Sequence, residues 1–238
     1  MLLSLLLGSA VALVPQQRSS APQQRFVAAP TRLAAVVDSY AISREIKSVF
    51  VHDGDYSLDV CDEVVKVGQM AIASKGSFSL AVPGGSIVKA LSKLKTDALD
   101  FSKVHVFFCN ERIDDNKCYQ GALDAFTTKC GVPLANVHGV GSGSPTEVAA
   151  SYAALIASHP SVDQSGTLPS FDMMLLGTGE DGHVGSLYPD SEEIRLTGQG
   201  KIVLAIEAGG EAPRRRMWGN RTVTGITTGA TSQGLDGR

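Results

Sequence analysis

The feature that most constrains the fold is an apolar run at 171–176 that ends in Gly177-Thr178-Gly179-Glu180-Asp181-Gly182-His183. The run has strand length and reads as a buried strand. Glycines at 177, 179 and 182 let the backbone turn sharply and approach a ligand closely. In an open α/β sheet, ligands bind just past the carboxyl ends of the strands. A strand that runs into Gly, Glu, Asp and His is therefore a candidate active site. The competing reading is a tight surface turn with solvated charges, and an imidazole so close to a buried strand argues against it.

The same grammar recurs upstream. Apolar residues near helical spacing at Leu58, Cys61, Val64, Val65 and Ile72 predict a helix over 58–74, with Asp55 or Ser57 as its N-cap. Residues 78–82 form a short strand that ends in Pro83-Gly84-Gly85-Ser86, and 87–94 reads as helix. Strand, Gly-Gly-Ser, helix is an arrangement that cradles phosphate through backbone N–H groups and a hydroxyl. Residues 104–108 form the next strand, which runs into Asn110-Glu111-Arg112. Arg112 can clamp an anion with its planar fork of donors, or pair with Glu111, Asp114 or Asp115. Helices over 116–130 and 146–158, and strands over 136–140 and 201–206, complete the pattern. His105, His138 and His159 read as structural.

Strands that alternate with helices predict an α/β fold: a mostly parallel, Rossmann-like doubly wound sheet with helices on both faces. Three strand ends, near Gly84, Arg112 and Gly177, then lie along one edge of the sheet.

Composition narrows the function. The 238 residues are 43% hydrophobic, enough chain for one sizeable core. A net charge of −3 provides no general attraction to nucleic acid or anionic lipid, so local groups must hold any anionic ligand. Cys61, Cys109, Cys118 and Cys130 form no CxxC pair and have no histidine at metal-ligand spacing. They read as free thiols of a reducing compartment or as small core residues, and no metal is expected.

The N-terminus reads as an address outside the fold. Residues 1–14 are almost wholly apolar but shorter than the roughly 20 residues that span a bilayer. They match the apolar core of a signal peptide, although no Lys or Arg precedes them. Residues 15–37 carry Arg18, Arg25 and Arg32 with no acidic residue, a composition like that of a transit peptide. Together residues 1–37 resemble a two-part plastid address. The mature protein is expected to begin near Asp38 and to make no stable membrane association.

Three blocks then resemble the glucosamine-6-phosphate isomerase/6-phosphogluconolactonase family. Pro83-Gly84-Gly85-Ser86 is similar to its Ser-Gly-Gly-Ser-Thr-Pro loop, and Asn110-Glu111-Arg112 to its Asp-Glu-Arg. The segment from Leu176 to Pro189 is similar to its Leu-Gly-x-Gly-x-Asp-Gly-His-x-Ala-Ser-Leu-Phe-Pro. The resemblance implies a lactonase-like domain over 38–217 that hydrolyses a phosphorylated sugar lactone. It implies phosphate binding by Gly84, Gly85, Ser86 and Arg112, with a contact from Arg214. His183 would be the general base and Asp181 its orienting partner. No cofactor, nucleic acid or second subunit is implied. Asn110 departs from the family's Asp, and an amide cannot take a proton, which speaks against sugar isomerisation. The match ends after Met217, and residues 218–238, rich in Gly and Thr, read as a divergent tail with little apolar pattern.

Overall fold

Three five-residue runs, Phe78–Val82, Val104–Phe108 and Met173–Gly177, form the parallel centre of the sheet. All five residues of the first are buried, as in a central strand covered on both faces, and the polar one, Ser79, donates its hydroxyl to Asp172 Oδ2 at 2.8 Å. The coordinates are a computed structural model. It describes residues 2–7, 10–15, 36–39, 46–52, 54–179, 182–189, 191, 193, 201–207 and 221–224.

In chain order the strands are β1 (Leu2–Leu7), β2 (Ala10–Pro15), β3 (Val36–Ser39), β4 (Ile46–His52), β5 (Phe78–Val82), β6 (Val104–Phe108), β7 (Asn110–Arg112), β8 (Met173–Gly177), β9 (Leu204–Glu207) and β10 (Arg221–Thr224). The helices are α1 (Ser57–Lys75), α2 (Ser86–Leu91), α3 (Lys117–Ala122), α4 (Thr128–Cys130) and α5 (Pro145–Ser158). A π-helical turn, Leu123–Thr127, joins α3 to α4.

The strand order is β3-β4-β1-β2-β8-β5-β6. β2, β8, β5 and β6 pair in parallel, while β3, β4 and β1 extend the sheet antiparallel. Side chains of the central strands alternate between two cores. Phe78, Leu80, Val82, Val104, Val106, Phe108, Met173 and Leu175 face one core, which α1, α2, α3 and α4 cover. Ala81, Phe107 and Met174 face the other, where α5 supplies Val148, Ala149, Tyr152 and Ile156. The sheet is thus doubly wound, as the alternation of elements predicts.

The chain steps from β5 outward to β6, then crosses back to β8 on the far side of β5. The order reverses between β8 and β5, and at such a switch point the carboxyl ends open a crevice. A second sheet, β7-β10-β9, is antiparallel and carries residues 110–112 on its edge.

Both ends of the chain contribute strands, and the structure departs from the sequence reading at residues 136–140. Within the segment that reads as an address, β1 and β2 pair as a hairpin and β2 pairs with β8 in parallel. Within the segment that reads as a divergent tail, β10 pairs with both β7 and β9. Thr and Val suit a strand even without an apolar alternation. Residues 136–140 form no strand. A short 3₁₀ turn, Leu134–Asn136, leads to a single parallel bridge between Val137 and Val106.

Candidate active site

Cys109, one residue past β6, ties the three strand ends together. Its amide donates to Val82 O at 2.8 Å, and its thiol donates to Leu175 O at 3.4 Å. Burial pushes this thiol up, so it stays protonated and acts as a small donor in the core. Tyr152 Oη accepts from Phe108 N at 2.8 Å and fixes the end of β6 from the α5 side. Nothing in the sequence marked either residue, because each acts through partners more than 25 positions away.

The Gly84-Gly85-Ser86 turn leaves β5 and opens α2. Gly85 has φ +77°, a left-handed conformation that favours glycine. Gly84 is required for a different reason. A Cβ there would lie 2.8 Å from Cys118 Sγ, inside van der Waals contact. Gly85 and Ser86 are exposed, so the turn presents its backbone to solvent. A Cβ built at Gly177, at the end of β8, would lie 3.6 Å from Ile87 Cδ1 in α2, so the first and third strand ends stand side by side.

Arg112 ends β7. Its Nε donates to Asp115 Oδ1 at 3.1 Å and its Nη2 to Asp115 Oδ2 at 2.6 Å, a bidentate fork. The pairing with Asp115 is one of the alternatives the sequence left open. Glu111 is fully buried and pins β7 to the start of α3. Its Oε1 accepts from Arg112 N at 2.9 Å and Cys118 N at 3.0 Å, and its Oε2 from Tyr119 N at 2.7 Å. Burial pushes its carboxyl up, against the three amides that pull it down.

The His183 loop is a small folded unit. Gly179 N donates to His183 O at 2.9 Å, and Gly182 N to Gly179 O at 3.0 Å. Val184 and Leu187 exchange backbone bonds of 3.0 and 2.9 Å around Gly185 and Ser186, whose φ values are +54° and +70°. Two positive φ values in a two-residue turn make it type I′. Serine is strained there, and a side-chain bond compensates: Asn110 Nδ2 donates to Ser186 Oγ at 3.0 Å. That bond seats the His183 loop on β7, two residues from Arg112. The His183 ring lies 5.0 Å from the Tyr188 ring, tilted by 38°.

The amides of Gly179, Gly182, Val184 and Leu187 are thus engaged within the loop, where they shape it rather than face a ligand. Asn110 Oδ1 is buried and has no hydrogen-bond partner. Asp181 and Arg214 lie outside the described residues. The single described group able to hold a metal, His105, His138 and His159, is not among the residues of this site.

The chain matches the family described as glucosamine-6-phosphate isomerases/6-phosphogluconolactonase over residues 53–222. It is 32% identical over 161 residues to "6-phosphogluconolactonase 3, chloroplastic" of Arabidopsis thaliana, which covers 61% of this chain and 50% of that protein. It is 28% identical over 195 residues to "Probable 6-phosphogluconolactonase 2" of the same plant, 72% of each. The chain spans about half the length of the chloroplastic relatives it matches. The crystal structure of 6-phosphogluconolactonase from Thermotoga maritima superposes with a TM-score of 0.58 at 20% identity, over 74% of each chain. At that identity the likeness speaks for the fold. The family match covers the Gly84 turn, the Arg112 strand and the His183 loop, and the chain belongs to the glucosamine-6-phosphate isomerase/6-phosphogluconolactonase family.

Proposed function

We propose that the chain hydrolyses 6-phospho-D-glucono-1,5-lactone to 6-phospho-D-gluconate, the lactone-opening step of the oxidative pentose phosphate pathway. The observation that carries this reading is the Asn110–Ser186 bond, which holds the His183 loop against the strand that ends in Arg112. A base and an anion clamp on adjoining backbone suit a substrate with a reactive carbonyl at one end and a phosphate at the other. The names of the curated relatives support the same substrate.

On this reading Gly84, Gly85, Ser86, Arg112 and Arg214 hold the 6-phosphate. His183 takes a proton from water as the water oxygen attacks the lactone carbonyl carbon. The tetrahedral intermediate collapses, the bond to the ring oxygen breaks, and the imidazolium returns the proton to that oxygen. Asp181 orients the ring. Imidazole suits both transfers because its ordinary pKa, about 6.5, lies near working pH. Opening an activated ester needs no cofactor, and a monomer suffices. Among the described residues no helix is long and apolar enough to cross a membrane.

Sugar isomerisation is the weaker alternative, because the Asn110 amide donates to Ser186 and has no carboxylate to abstract a proton. A non-catalytic sugar-phosphate binder is the other. Acid release from freshly made lactone, corrected for spontaneous hydrolysis, separates the lactonase from the other two, and binding without turnover would favour the non-catalytic binder. His183→Ala is expected to lower kcat by roughly 100-fold or more with little change in KM. Unchanged turnover would refute the assignment.

The chloroplastic names of several relatives, with the signal-like and transit-like composition of residues 1–37, place the protein in the plastid on this reading. A fusion of residues 1–37 to a fluorescent protein should enter plastids, and retention in the cytosol would remove the proposal.

A further inference from the structure

Three of the five histidines converge at one place that the lactone chemistry does not use. His105 is the second residue of β6, His138 follows the Val137 bridge, and His159 caps the C-terminus of α5. One ring nitrogen from each lies within 4.8 Å of the others. His105 stands opposite Ser79 in the β5–β6 register, four positions before Cys109. At about 3.3 Å per residue, roughly 13 Å of strand separates the group from the carboxyl-end crevice.

We propose that His105, His138 and His159 form a binding site for a divalent transition-metal ion of the zinc class, with a fourth position open to water. His105 Nδ1 and His138 Nε2 are 3.3 Å apart. Two nitrogens at about 2.05 Å from a tetrahedral ion are separated by about 3.3 Å, so this pair already has the spacing a shared ion requires. The third ring meets the other two at steep angles, 64° to His105 and 65° to His138, and so approaches from a different direction.

The backbone holds all three in place. His138 N donates to Val106 O at 2.8 Å, and His159 N and O bond Ile156 O and Val162 N. Phe107 packs against the His138 and His159 rings, with centroids 4.5 and 5.2 Å away. Ser161 Oγ lies 2.8 Å from His159 Nδ1. Ser161 N donates to the same Nδ1 at 3.2 Å, and the two contacts fix the orientation of the ring, as outer-shell partners of a ligating imidazole do.

Burial pushes all three imidazoles down, with the neighbouring rings adding to it at His105 and His138 and taking His138 to about 4, which favours the neutral form that binds metal. Lys75 is the charged neighbour that acts on His105, and its ammonium is engaged at 2.9 Å by Asp172. Among the described residues no carboxylate joins the trio, and imidazole-only donor sets suit zinc, copper and nickel rather than calcium or magnesium.

The test uses the full chain, stripped with a chelator and dialysed against Zn²⁺, with bound metal measured by mass spectrometry. The expected result is about one tightly bound ion per chain, with roughly 100-fold weaker binding in His138→Asn and in His159→Gln. Circular dichroism checks that each variant folds, and His159→Gln, at a partly exposed helix end, covers the case in which His138→Asn does not. Co²⁺ in place of zinc should show visible ligand-field absorption without a thiolate charge-transfer band. No bound ion, equal affinity in both variants, or a thiolate band would each overturn the site.

Discussion

At the scale of single residues, the site depends on contacts that a motif does not contain. Gly84 belongs to the Gly-Gly-Ser block, and sequence alone suggests that its use is backbone freedom. The structure adds that Cys118 occupies the space its side chain would need. Gly84→Ala should therefore destabilise the protein by about 1–3 kcal/mol in urea unfolding. The double variant Gly84→Ala/Cys118→Ala should recover much of that loss, and additive losses would show that the clash is not the cause. Asn110 was legible as a departure from the family pattern, and its consequence was legible only as the loss of a base. Its structural work, holding left-handed Ser186, depends on a partner 76 positions away. Asn110→Ala should cost about 1 kcal/mol of stability and lower kcat several-fold as the His183 loop loosens. A variant with wild-type turnover would mean that the loop holds itself.

At the scale of elements, local signals were read well where the period was strong. β5 and β6 fall on the residues expected, and α1 and α5 lie within a residue of theirs. α5 shows why. Ser144 and Glu147 form a reciprocal capping box, with Ser144 N and Oγ donating to Glu147 Oε2 and Glu147 N donating to Ser144 Oγ. Pro145 follows at the first helical position, where a missing N–H costs nothing. Ser144→Ala should lower stability by about 1 kcal/mol, measurable as a shift in urea midpoint at constant slope. A change in slope would mean that the helix end does more than cap. The expected helix over 116–130 is continuous but widens into a π-helical turn, where Thr127 Oγ1 donates to Ala122 O. That hydroxyl bond spans five residues, a spacing the apolar pattern does not signal.

At the scale of the whole molecule, two cores share one sheet, and the four described cysteines are buried in them. Burial pushes every one of these thiols up, Cys61 to about 11. The native protein at pH 8 should therefore label slowly with a thiol reagent, while all four react at once in urea. Rapid labelling of several thiols in the absence of denaturant would show that the cores open far more readily than their packing implies. The sequence by itself determined the α/β class, the strand ends that carry Gly84, Arg112 and His183, and the family, because apolar period and glycine turns are local properties. Only the tertiary structure decided the strand order, the entry of β1, β2 and β10 into sheets, the Cys109 tie and the meeting of His105, His138 and His159. Each of those depends on pairing between distant segments, and the free energy of such pairing lies in contacts that no single stretch of chain contains.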